Sequence, residues 1–228
     1  MSQLSYTMFQ DVLFPSEEDS SKASQSTLML EKIFRFAPNL ESSLKDMPLV
    51  VFDFETTGLD TNNDHIIEIG ALKTVNGRIL DEFSYLISSP VAISEVITGI
   101  TGITPDMLLG KPPLEEVLPL FLQFIEGSIL VAHNAEFDMA FLRSACLQSG
   151  IQINWPAFCT LKMARKILPE LESKNLDTLA EFFGLTFEAR HRSIGDCKVT
   201  SAVLQSLLSH EGVSLPDWRS VQPFAVHK

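Results

Sequence analysis

The hydrophobic pattern of this chain opens its core at residues 49–55, LVVFDFE, where four apolar residues stand in a row. That is the pattern of a strand buried on both faces. HIIEIGALKTV (65–75) and RILDEFSYLIS (78–88) are two more strand-like runs, joined by Asn76-Gly77. An Asn-Gly pair between such runs predicts a hairpin. A loop comes next, with a short helix near 104–109 and a longer one over about 113–126. SILVAH (128–133) predicts a short buried strand, and AEFDMAFLRSACLQSG (135–150) a helix stopped by Gly150. CTLKMARKILP (159–169) and LDTLAEFFGL (176–185) predict two further helices, and residues 195–209 a last one. Residues 210–228 form a tail with no clear period.

The same pattern divides the chain. Residues 1–47 read as an N-terminal extension. Within it PSEEDSSKASQS (15–26) is polar and acidic like a linker, and TLMLEKIFRFA (27–37) predicts a short amphipathic helix. The globular domain is expected over 48–209. Three antiparallel strands followed by an alternating helix–strand–helix half predict an α/β fold, a mixed sheet covered by helices. In such sheets the carboxyl ends of strands near the switch point are the usual site.

Composition narrows the chemistry. The 228 residues suffice for one substantial core. Three widely spaced cysteines without a CxxC pattern predict neither a disulfide frame nor a zinc cage, and suit a reduced cytoplasmic compartment. There is no membrane-length apolar run and no signal-peptide pattern at the start. A net charge of −12 argues against a protein that coats nucleic acid. It leaves room for an enzyme that grips one chain end, with bound metal ions supplying positive charge.

Three stretches carry candidate chemistry. In FDFETTGLD, Asp53 and Glu55 lie two apart at a strand end, so they share a face about 7 Å apart along the chain. Either they form a solvated strand end before the Thr56-Thr57-Gly58 turn, or they bind a divalent cation, which prefers carboxylate oxygens. In VAHNAEFDMAFL, Asp138 lies on a mostly apolar helical stripe with Phe141, Leu142 and Ala145. It needs a partner there, or it simply favours the helix dipole. His133 and Asn134 read equally well as a structural loop pair. In ARHRSIGDCKVT, Asp196 opens a helix, and His191 stands in a polar loop five residues earlier. A loop histidine is often only a surface residue; near activated water it suits a general base. Four acids in one pocket repel one another, and two divalent ions about 4 Å apart would relieve that and align an in-line attack on a phosphodiester.

Together FDFETTGLD, HNAEFDMAFL and HRSIGDCKVT resemble the three motifs of the DEDDh, or DnaQ-like, exonucleases, the family of the proofreading epsilon subunit of bacterial DNA polymerase III. The likeness runs over about residues 48–208. It implies a ribonuclease-H-like fold, a mixed five-stranded sheet flanked by helices. It implies 3′→5′ exonuclease activity releasing nucleoside 5′-monophosphates from single-stranded or frayed DNA ends, in proofreading or repair. Asp53, Glu55, Asp138 and Asp196 would hold two Mg²⁺ or Mn²⁺ ions, and His191 would take the proton of the attacking water. Thr56 and Gly58 would hold the terminal nucleotide, with Leu59 and Phe137 against the last bases and Asn134 nearby. Many relatives carry a histidine where this chain has Thr101, and little chain remains after residue 208 for a polymerase-binding extension. QDVLF (10–14) resembles the peptide with which replication proteins bind the sliding clamp, through Gln10, Leu13 and Phe14. The alternatives are an exoribonuclease trimming RNA or short oligonucleotides, and a non-catalytic replisome tether.

Overall fold

The structure, a computed structural model, describes residues 32–187 and 191–226. By its contacts the chain divides after Lys32, and the fold is that of the unit beginning at Ile33. QDVLF lies outside the described residues. Among those residues no helix is long and apolar enough to cross a membrane.

The apolar run forms strand β2 (Leu49–Thr56), after a short β1 (Lys32–Arg35). β3 (Ile66–Val75) and β4 (Arg78–Leu86) pair antiparallel across the Asn76-Gly77 turn, where both residues take positive φ. Helices α1 (Glu95–Thr101), α2 (Pro105–Leu108) and α3 (Leu114–Ile125) come next. Then come β5 (Ile129–Ala132), α4 (Ala135–Gln148), β6 (Ile151–Asn154) and β7 (Ala157–Cys159). The chain continues with α5 (Thr160–Ile167), α6 (Leu176–Phe182), α7 (Ser193–Leu208), α8 (Trp218–Val221) and β8 (Ala225–Val226).

The main sheet has six strands in the order β4-β3-β2-β5-β7-β8, one more than the five expected. β2 is antiparallel to β3 and parallel to β5, which is parallel to β7. The additional strand is β8 from the tail, which pairs antiparallel with β7 and caps that edge. β1 and β6 make a separate two-stranded ribbon, so Lys32–Arg35 is extended where the 27–37 pattern predicted a helix. α1 stands where the sequence suggested only a loop; Ser94 caps it by accepting from the Ile97 N–H at 3.2 Å.

The two faces of β2 enter different cores. Phe52 and Phe54 pack with Phe121 of α3 at ring separations of 6.1 and 5.7 Å, and with each other at 5.2 Å. Leu49 and Val51 join Val199, Val203 and Leu207 of α7, Leu179 of α6 and Trp218 of α8. Leu44 and Met47, ahead of β2, and Trp218 and Val221, in the tail, are buried in that same cluster. Phe36 stacks on Trp155 at 5.4 Å. The compact unit is thus wider than residues 48–209.

Candidate active site

Asp53 and Glu55 continue the Leu49–Val51 face of β2 beyond the point where β5 ends. The parallel pairing of β2 with β5 reaches only Val51 and Val131. There β5 turns into α4 through His133 and Asn134, with Asn134 in the left-handed region at φ 66°. His133 Nδ1 lies 2.9 Å from the Thr160 hydroxyl at the start of α5. The Phe54 N–H, past the last β5 partner, donates instead to Asp138 Oδ1 on α4 at 3.1 Å. That bond answers what a buried acid on an apolar helical stripe is doing, and it ties α4 to β2 between the two strand acids.

Asp53 lies opposite Gly70 in the β2–β3 register. Gly70 leaves room for α7: a Cβ there would come within 2.5 Å of the Ser193 carbonyl carbon and hydroxyl. The Cys197 thiol lies 3.3 Å from the Gly70 carbonyl oxygen. The first turn of α7 therefore rests on β3 beside Asp53, and this brings Asp196 into the site. One carboxylate oxygen each from Asp53, Glu55 and Asp196 lie within 4.8 Å of one another. Asp53 and Glu55 are half-buried and Asp196 is buried.

The electrostatics match this crowding. Burial, then the charges of Asp138, Glu55, Asp196 and Glu68, push the Asp53 carboxyl well above its usual range. Burial pushes Asp138 up to about 7, against the opposing hydrogen bonds from the N–H groups of Phe54 and Asp138 itself. Carboxylates held this close resist ionising together. The donor set is all oxygen and anionic, which fits a hard divalent cation.

The other expected residues stand at the end of β2 and the turn after it, at the end of α1, at the start of α4 and just before α7. His191 is exposed, in the left-handed region at φ 59°, two residues before α7. Thr56 is buried and donates to the Gly58 carbonyl at 2.6 Å. A Cβ at Gly58 would strike the Asp64 carboxylate at 2.3 Å. Asp64 in turn accepts from the Thr57 hydroxyl at 2.8 Å and the Asp60 N–H at 2.9 Å, which folds the loop back on itself. Leu59 at its crest is 84% exposed. Phe137 is half-buried and leans on Phe141 at 5.0 Å, while Asn134 is exposed. Thr101 is buried with its hydroxyl engaged in the end of α1, donating to Ile97 O and accepting from Ile103 N.

Two residues at this end of the sheet were missed in the sequence. Glu68 and Arg192 form an ion pair beside the acids, at 2.5 Å. A lone acid inside the apolar run IIEIGAL was the available signal.

The sequence model of the family described as Exonuclease matches residues 50–204, which includes all four acids and His191. The chain belongs to that family. The DNA polymerase III epsilon subunit of Aquifex aeolicus is 37% identical over 170 residues, covering 74% of this chain and 84% of that protein. The PolC-type DNA polymerase III of Caldanaerobacter subterraneus is 43% identical over 168 residues, 74% of this chain. The match spans only 12% of that polymerase's length. Among solved structures, exonuclease X in complex with 5′ overhanging duplex DNA superposes with a TM-score of 0.60. It is 28% identical, and the match covers 73% of this chain and 94% of that one. The chain is thus a DnaQ-like nuclease, and its six-stranded mixed sheet with flanking helices is the ribonuclease-H-like fold of these exonucleases.

Proposed function

We propose that this exonuclease hydrolyses DNA from the 3′ end, releasing nucleoside 5′-monophosphates one at a time in proofreading or repair, with two divalent ions, Mg²⁺ or Mn²⁺, in the acid cluster. The observation that carries the reading is the meeting of Asp53, Glu55 and Asp196 at one point, with Asp138 bonded to the strand between the first two. Those four carboxylates would hold the ions. Bound there, divalent cations make water a nucleophile near neutral pH and neutralise the charge that builds on the departing oxygen. His191, exposed two residues before α7, would accept the proton of the attacking water at its imidazole. Leu59 and Phe137 offer apolar surface to the last bases, and the backbone around Thr56 and Gly58 offers polar groups to the terminal nucleotide. The epsilon subunit and the DNA-bound exonuclease X among its relatives favour DNA as substrate.

Product analysis tests this. A single-stranded oligodeoxynucleotide incubated with Mg²⁺ should give deoxynucleoside 5′-monophosphates from the first time point, and none in EDTA. Internal fragments, 3′-monophosphates or EDTA-resistant release would overturn the reading.

A further inference from the structure

The strand beside the acid-bearing one carries an acid of its own that the proposed reaction does not use. Glu68 sits inside the apolar run of β3, opposite Glu55, and is 1% exposed. A carboxylate so buried persists only with strong partners. It has three. Arg192 donates to Oε1 through Nε at 3.0 Å and Nη2 at 2.5 Å, and the Ser193 N–H donates to Oε2 at 2.9 Å.

These partners stand at a particular place. Arg192 is the N-cap of α7 and Ser193 its first residue, and Arg192 makes no side-chain cap bond. The first amides of a helix lack intrahelical partners. Here a neighbouring strand supplies the acceptor that the cap residue does not. His191 is the residue before Arg192, and Asp196 is three residues beyond Ser193. Two residues further along β3, Gly70 lets the same turn of helix press directly onto the strand. The helix start is thus tied at Glu68 and seated at Gly70. The guanidinium also occupies Glu68 Oε1, and it feels the charge of Glu55 as well as that of Glu68.

We propose that Glu68 is a positioning residue: its carboxylate, clamped between the Arg192 guanidinium and the Ser193 N–H, sets His191 and Asp196 against Asp53 and Glu55. This rests on the exonuclease reading of those residues. Glu68 touches neither substrate nor reacting atoms. It acts through the helix start.

The test uses the full chain and Glu68→Gln, which keeps the size but leaves one accepting oxygen for donors that now use two. Mn²⁺ binding is measured by calorimetry at a temperature where the variant is folded, alongside kcat and KM on a short oligodeoxynucleotide. The expected result is a loss of roughly 10- to 100-fold in Mn²⁺ affinity and in kcat, the usual scale for a group that orients metal ligands, with KM little changed. A role in stability alone would lower the melting temperature and leave affinity and kcat at wild-type values, and that result overturns the proposal. If Glu68→Gln does not fold, Arg192→Lys is read in the same way. It keeps the charge and loses the two-pronged contact, so wild-type affinity and kcat in that variant likewise overturn the clamp. A wild-type chain that neither binds Mn²⁺ nor releases nucleotides overturns the exonuclease reading itself, an outcome distinct from equal binding by wild type and variant.

Discussion

Replacing Asp138 by Asn should stabilise the metal-free protein, and increasingly so as pH rises. Burial holds the Asp138 carboxyl near 7 rather than the usual 3.8. Between those values the folded chain binds more protons than the unfolded chain, so stability falls as pH rises through that window. With these two values, the linkage relation gives a cost of about 2 kcal/mol at pH 5.5 and about 4 kcal/mol at pH 8. Asn removes the titration and keeps a carbonyl oxygen for the Phe54 N–H. Its amide hydrogens need new acceptors, at a cost of roughly 1–3 kcal/mol that does not depend on pH. The difference between the two pH values therefore isolates the charge: the variant should gain about 2 kcal/mol on wild type from pH 5.5 to 8. Relief of Asp53, which Asp138 also pushes upward, adds to that gain. Urea unfolding in EDTA at both pH values, followed by tryptophan fluorescence, measures it. Repeating the series with Mg²⁺ should narrow the gap, because cation binding stabilises only the chain that keeps the acid. An advantage that is flat or shrinks with pH would mean that the folded chain does not hold the Asp138 carboxyl above its usual range.

Three further perturbations probe the site and the core beneath it. His191→Ala should slow turnover by roughly 10²–10⁴-fold, the range for a lost general base, with Mn²⁺ affinity unchanged; single-turnover rates beside calorimetry check it. Gly70→Ala forces a Cβ to within 2.5 Å of Ser193, so it should cost about 1–3 kcal/mol by urea unfolding and depress activity. Trp218→Ala, far from the acids along the chain but buried in the core under β2, should cost about 3–5 kcal/mol by the same measurement.

The parts of the fold that were legible in the sequence are those whose signal is local. β2, β3 and β5 announced themselves as apolar runs, and Asn76-Gly77 marked the hairpin that leads into β4. The four acids stood out because each interrupts an apolar pattern at an element's end. β6, β7 and β8 are two to four residues long, and pairing with distant segments defines them more than their own composition does. Lys32–Arg35 carries spacing that suits a helix, yet the ribbon with β6 draws it into a strand. Glu68 was visible as an anomaly inside β3. Its meaning was not, because its partners lie 124 and 125 residues away. The same holds for Gly70, whose small size matters only once α7 is laid across it.

We propose above all that these acids form one metal-dependent site acting on a 3′ end. A time course on a 5′-labelled, mispaired primer–template beside an RNA of the same sequence tests it most directly, with Mg²⁺, with EDTA, and with Asp53→Ala. The expected result is a ladder shortening from the 3′ end of the DNA, abolished by EDTA and by Asp53→Ala, with the RNA degraded more slowly. Shortening that survives the loss of Asp53, or no shortening of either strand by folded, metal-bound protein, would contradict it.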